Sequence, residues 1–515
     1  MKHNQIISIL GILSAVLLCS CDDWFAITPQ SEMVAEDFWK DKTDVESAVG
    51  SCYKAISSDA FVRRLIVWGE VRSDNVIYGQ TDETDLTHVL NANITPSNSY
   101  ANWGDVYAAI NYCNIVIEKA PAVRDSDPNF SQTELNQFLA EAKAIRAFCY
   151  FTLVRTFRDV PYITQPYTDD TRAFAVAQSS AADILAALIA DLKTVEDNVV
   201  TEYSQNVPYT RGRITQKAVW APMADICLWQ QDYDGCITYC DKVLAATSNP
   251  LHLLPSSHYF QQLFFTGNSE ESIFELQYDT HTGNSAVTAL YGGSSTTPLL
   301  CCSSLSDLRG TGFMREKDIR TTDAYVLSSG AYLIKKYVAQ RNAATTTTPI
   351  KATDFSWGDG TCNWILYRLP DIYLMKAEAL VERGGSDDIA EAVSLVSLTY
   401  DRANPDLDPN TLQGTYNQHT ARELVMDERQ REFLFEGKRY FDLVRLMRRQ
   451  GGTQEVVTSY LITKYVTMSL DQSTVMSKIN DPDAIYMPIS EHELRLNPLL
   501  VQNRFYQTST DIVRN

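Results

Sequence analysis

Most local signatures of catalysis are missing from this chain. It has no Gly-rich loop closed by a Lys to cradle phosphates, no HExxH and no G-x-S-x-G elbow. Its 7 histidines are scattered, with no spacing that makes a triad or a metal set, and an isolated His is more often structural. Carboxylate pairs for glycoside hydrolysis leave no comparable mark, because their separation is spatial. Bases are scarce too. The 44 Lys and Arg face 64 Asp and Glu, a formal charge of −20, which argues against nucleic acid and polyanions as default partners. Beyond the N-terminus no apolar run reaches the ~18 residues a membrane helix needs.

The N-terminal run is shorter still. Lys2 and His3 precede Ile6 to Leu18, the pattern of a secretory signal. It closes in Leu18-Cys19-Ser20-Cys21, and a lipoprotein signal needs a small residue before the modified Cys, so Ser20 selects Cys21. The expected order is a signal over 1–20, a lipidated leader over 21–35 and one large body over 36–515. Of 11 cysteines, Cys19 leaves with the signal and Cys21 is acylated. An odd number remains, so at least one is unbridged or pairs between chains. Cys113, Cys149 and Cys227 sit in apolar helical patterns and read as small core residues. Cys236 and Cys240 are four apart, but no His or Cys pair completes a zinc set, so no metal or other cofactor is expected. The neighbours Cys301 and Cys302 lie in an exported, oxidising setting, which suits either a vicinal disulfide or two thiols.

The body reads as mainly α. Trp103–Ala120 pairs with Leu135–Phe157, with Pro121 to Thr133 as the connection. Ser180–Asp197 pairs with Thr215–Gln230, then come Tyr233–Ala246, Pro370–Arg383 and Ile389–Ala403. Recurring helix pairs suggest a tetratricopeptide-like α-α superhelix with one continuous core, spanning about 36–248 and 367–450. Pro222 should kink its helix. A Gly-, Ser- and Thr-rich insert over 249–366 interrupts the array, irregular apart from a strand over Glu271–Tyr278. A polar loop is expected over Val76–Asn102 and an irregular segment over 451–515. Asp427–Leu446 has the period of an amphipathic helix whose second face mixes acids, bases and large apolar groups. Its ions can pair at helical spacing, Glu428 with Arg431, Arg429 with Glu432, Glu436 with Arg439 and Asp442 with Arg445. This reads as a structural network and not as a catalytic acid pair. Gly437 in the apolar arc allows a second backbone to come close.

The same stretch, Glu428-Arg429-Gln430-Arg431-Glu432-Phe433 followed by Phe435-Glu436-Gly437-Lys438-Arg439, Phe441-Asp442-Leu443 and Arg445, resembles the ER-x-REF-x-FEG-x-R-x-FDL-x-R block of the SusD/RagB family. Pro29 with Phe38-Trp39, the Trp68–Asn75 segment, and Tyr486 through Asn503 resemble other blocks of that family. Asp22-Asp23 after the lipidated Cys resemble its surface-export signal. The resemblance implies a non-catalytic, surface-exposed lipoprotein of the outer membrane. It would capture a glycan and deliver it to a SusC-like, TonB-dependent transporter. Peptide capture and a surface glycosidase are the alternatives.

Sugar capture needs flat apolar surfaces for ring faces and polar groups for hydroxyls. Trp357, in Asp354-Phe355-Ser356-Trp357-Gly358-Asp359-Gly360, sits in a turn-rich stretch without an evident core to fill. The insert and early loop are expected to form the ligand-binding region, from Asp74, Tyr78, Asn98, Tyr100, Tyr291, Cys301, Cys302 and Trp357, with Asp359 as a hydroxyl acceptor.

Overall fold

The computed structural model describes residues 38–507 apart from 169–171, 205, 294–296, 304–316, 342–353, 359, 410, 413 and 450–452. The signal segment, Cys21, the leader and Asp359 therefore lie outside the described residues. Helices dominate. In chain order the array consists of α1 (Lys42–Ile56), α2 (Gly104–Ser126), α3 (Gln132–Phe157), α4 (Ala181–Lys193), α5 (Gln216–Gln230), α6 (Tyr233–Ala245), α7 (Leu369–Arg383), α8 (Ser386–Ala403) and α9 (Gln418–Phe433), followed by α10 (Arg439–Arg449). Their starts carry side-chain caps, with Asp41, Ser131, Ser180, Asp232 and Asn417 accepting from first-turn N–H groups. Each helix packs on the next, α1 on α2, α2 on α3, α5 on α6, α6 on α7, α7 on α8 and α8 on α9. One core cluster runs from Val45 to Leu500, the continuous core that stacked helix pairs build.

Both prolines stay inside their helices. α2 runs through Pro121 to Ser126 instead of stopping at Ala120, because Ala120 and Val123 are buried on the neighbouring helices and that packing offsets one missing N–H bond. α5 likewise continues through Pro222, flanked by the buried Ala221 and Met223. The early loop also holds more structure than expected. Thr84–Leu90 is a helix because Leu86, Val89 and Leu90, three and four apart, are buried. The C-terminal segment contains helices Ile462–Thr467, Gln472–Ile479 and Glu491–Leu496. The insert opens and closes on an antiparallel pair, Ser272–Leu276 against Trp364–Arg368. Every residue of both strands is buried, so the insert leaves the array from a rigid base.

The Asp427–Leu446 stretch is two helices, not one. α9 ends at Phe433 and α10 starts at Arg439, and between them Phe435 and Gly437 take φ of 64° and 72°. The break follows from contact with the segment Val67–Val71. A Cβ at Gly69 would lie 1.8 Å from the Gly437 carbonyl oxygen, so two glycine backbones touch there, as the position of Gly437 suggested. Of the four helical ion pairs, Glu428–Arg431 (2.9 Å) and Asp442–Arg445 (2.6 Å) form. The other four charges pair elsewhere, Arg429 across the break and the remaining three with distant elements. Arg429 holds Asp442, Arg439 holds Asp74, Glu432 meets Arg320, Arg368 and Arg402, and Glu436 meets Lys336 and Arg368.

Candidate functional site

The ion network positions the early segment. Asp74 takes Arg439 Nε and Nη2 at 2.9 and 3.0 Å, and Gln430 donates to both Asp74 and Asn75 at 2.9 Å. One turn earlier, Glu70 accepts from the backbone N–H of Phe435 (3.1 Å) and Gly437 (2.9 Å) and from the Asn75 amide (2.7 Å). Burial pushes the Glu70 carboxyl up to about 7, and these hydrogen bonds offset the penalty only in part. The chain leaves this anchor directly as β1 (Val76–Tyr78), which pairs antiparallel with β2 (Leu299–Cys301) of the insert. The Cys302 N–H continues the ladder to the Asn75 carbonyl at 2.9 Å. Early segment and insert thus form a single ribbon.

One face of the ribbon joins the core through Val76, Leu299 and Cys301. On the other, alternation places Ile77 beside Leu300, and there Leu300, Val326 and Leu333 form a small cluster covered by Ile77, Ala331 and Trp357. Trp357 lies on a strand, Phe355–Trp357, paired with Ala339–Arg341. The Gly-rich flanks hid that strand in the sequence. Its indole rests on the Gly293 backbone, where a Cβ would stand 2.2 Å from the ring. Trp357 is half-buried, and Tyr78 at the ribbon end is 46% exposed.

The other sequence-selected residues are interior. Asp74 and Asn98 hold structural bonds, Asn98 to the Tyr100 N–H (2.9 Å) and the Asp85 carbonyl (3.0 Å). The Tyr100 hydroxyl is bound by Arg63 (2.7 Å) and Glu83. Tyr291 packs on Phe435 and donates to its carbonyl at 3.3 Å. Cys301 and Cys302 are buried thiols, Cys301 donating to the Cys302 carbonyl at 3.5 Å. Both are buried, so they offer no sulfur-faced plate, and no disulfide joins them. These six support the site without offering it surface. Sequence reasoning missed Ile77, Leu300, Val326 and Leu333, whose alternation in short strands was the available signal. It also passed over Glu70, inside the quoted Trp68–Asn75 block.

The clustered acids are poor candidates for catalysis. Glu428, Glu432, Glu436 and Glu271 are all buried and ion-paired. Burial alone would raise the Glu436 carboxyl, but Arg368 and Lys336 outweigh it and hold it at about 2, while Arg402, Arg368 and Arg320 hold Glu432 well below the carboxylate range. Glu432 and Glu436 thus stay charged, and all four acids are paired and out of reach of a substrate. Among the described residues no set of three or more His, Cys, Asp or Glu gathers as a metal site, and no helix is long and apolar enough to cross a membrane.

Comparison with known proteins places this architecture. The profile described as the SusD family matches residues 322–506, and one described as starch-binding, associating with the outer membrane, matches residues 23–228. A SusD-like protein of Formosa agariphila is 25% identical over 486 residues, covering 86% of this chain and 91% of its own. Among solved structures, a SusD superfamily protein of Bacteroides vulgatus superposes with a TM-score of 0.70 at 22% identity, covering 91% of this chain and 100% of its own. Another protein of that organism, named as a candidate sugar binding protein, gives 0.68 at 20% identity, with coverage of 91% and 99%.

Proposed function

The chain belongs to the SusD/RagB family, and from that premise we propose that it captures glycans outside the cell and delivers them to a TonB-dependent, SusC-like transporter of the outer membrane. Lipid on Cys21 would hold it there. The observation that carries the reading is the Trp357 platform beside the ribbon. It sets a half-buried indole over an apolar floor on a base fixed by buried ion pairs, with the exposed phenol of Tyr78 at the ribbon end, on the opposite face of its strand from that floor. Aromatic faces of this kind bury the C–H faces of sugar rings. Tyr78, Trp357 and their neighbours from the insert are the proposed contacts, with Asp359 contributing from outside the described residues.

A transporter partner is supported on the side of the array. A groove of about 510 Å³ lies between α2, residues 161–167 and 174–176, and the helix Glu491–Leu496. Its rim includes Phe174, 63% exposed, and Leu496, 66% exposed. Apolar surface of this kind is commonly covered by a protein. Binding to a panel of oligosaccharides and peptides, with product analysis, tests the function. Saturable glycan binding without turnover is expected. Preferential peptide binding, or release of reducing ends, would overturn it. Isolation from membranes in mild detergent should bring a large β-barrel protein with it.

A further inference from the structure

A second pocket, remote from the ribbon in sequence, lies where the helix Val207–Gly212 meets the start of the insert. It encloses about 350 Å³, within the range of small-molecule sites. On its wall is Arg211, only 5% exposed, whose Nη2 donates to Asn249 Oδ1 at 3.2 Å and whose buried Nε has no hydrogen-bond acceptor. Among the described residues Arg211 makes no ion pair. Glu275, the buried acid beyond it, commits Oε2 to the Asn268 N–H and to Asn363, each at 2.8 Å, while its Oε1 has no hydrogen-bond partner, so it attracts Arg211 through space without pairing with it. Lys217 stands behind, 4% exposed, bound among the described residues only to the carbonyls of Ser248 and Asn249 at 2.6 Å. Burial and the neighbouring Arg211 bring Lys217 down to about 8.

Two buried cations with no carboxylate at ion-pair distance among the described residues are unexpected in a chain of net charge −20, because the through-space pull of Glu275, Glu270 and Glu202 on Arg211 offsets its burial only in part. The same wall carries Asn268, whose buried Oδ1 also lacks a donor. At the mouth stand the exposed Glu202 and Glu270 beside Tyr203. We propose that this pocket is a second ligand site, which takes a hydroxylated monocarboxylate of the sugar-acid class. The carboxylate meets the Arg211 guanidinium in a charge-assisted bond. Hydroxyls donate to Asn268 Oδ1 and to the two rim carboxylates, and a ring face lies toward Tyr203. The rim acids repel a multiply charged anion and leave a single carboxylate with several hydroxyls as the best match.

The test uses the purified protein and saturation-transfer NMR titrations with methyl β-D-glucuronide, methyl β-D-glucoside and acetate. The glucuronide is expected to saturate at least tenfold below the other two, and Arg211→Gln should abolish that preference. Asn268→Asp puts a negative charge on the wall yet tolerates the φ of 56° at this position, and should weaken the glucuronide severalfold. It decides the matter if Arg211→Gln fails to fold. Equal affinity for glucuronide and glucoside, no saturable glucuronide binding, or a preference kept in a folded variant would overturn the assignment. None of these outcomes bears on capture at the Trp357 face, which is read with neutral glycans and Trp357 variants.

Discussion

Removing Asp74 tests whether the ion network holds the ligand-facing ribbon. Its side chain is 10% exposed and that of Arg439 is 1%, so Asp74→Ala leaves a guanidinium buried with only the Met426 carbonyl, at 3.2 Å, as a remaining acceptor. Breaking one partner of a buried pair costs about 3–5 kcal/mol, a large part of the about 5–15 kcal/mol that holds a typical domain. Gln430 loses a partner as well. Equilibrium urea unfolding should therefore show a loss of this size. The double variant Asp74→Ala/Arg439→Met, with no orphaned charge, should recover at least about 2 kcal/mol relative to the sum of the single changes. Breaking the exposed Arg124–Asp125 pair (3.2 Å, 40% and 75% exposed) by Asp125→Ala should change stability by about 0.5 kcal/mol or less. If Asp74→Ala falls within about 1 kcal/mol of the parent, or the two changes are additive, the network does not anchor the segment.

Gly69→Ala drives a Cβ into the Gly437 backbone and should destabilise by about 3 kcal/mol or more. Gly50→Ala, in open space on α1, should instead stabilise by about 0.5–1 kcal/mol, both read by thermal melting. Glu70, held at about 7 against an ordinary 4.5, contributes stability that is fully present below pH 4.5 and lost as pH rises through 7, up to about 3 kcal/mol. Glu70→Gln should flatten that limb of the stability profile. Glu436, held at about 2, acts oppositely, its contribution being present above pH 4.5 and lost toward pH 2. Alkylation of the unfolded protein without reductant should label both Cys301 and Cys302 by mass spectrometry, and a bridged pair would contradict their placement as thiols.

The sequence was most legible where period and burial agree. The array helices were readable because apolar residues recur on faces that the neighbouring helix covers, and most boundaries lay within a few residues. Pro121 misled because proline was weighed by its lost hydrogen bond alone, whereas packing of Ala120 and Val123 carries α2 past it. The Asp427–Leu446 stretch misled for the opposite reason. Its period is uninterrupted, and the break at Phe435 and Gly437 comes from a distant backbone that no local pattern reports. Two of the four ion pairs expected from helical spacing give way to other partners for the same reason. The candidate site was legible as two regions, the early segment and the insert, and the ribbon joins them. Which of their side chains face outward was not legible. Asn98, Tyr100 and Tyr291 look like loop residues in sequence and are buried through contacts with Asp85, Glu83 and Phe435.

The most direct test of glycan capture at the ribbon is calorimetric titration of the neutral oligosaccharide that binds best, into the parent and Trp357→Ala proteins. Losing the indole should weaken binding by about 1–3 kcal/mol, the scale of one aromatic contact patch. The melting temperature should fall only modestly, since Ile77, Leu300, Val326 and Leu333 still close the cluster beneath. Unchanged affinity per folded molecule, with a large loss of stability, would make Trp357 a core residue and contradict the account.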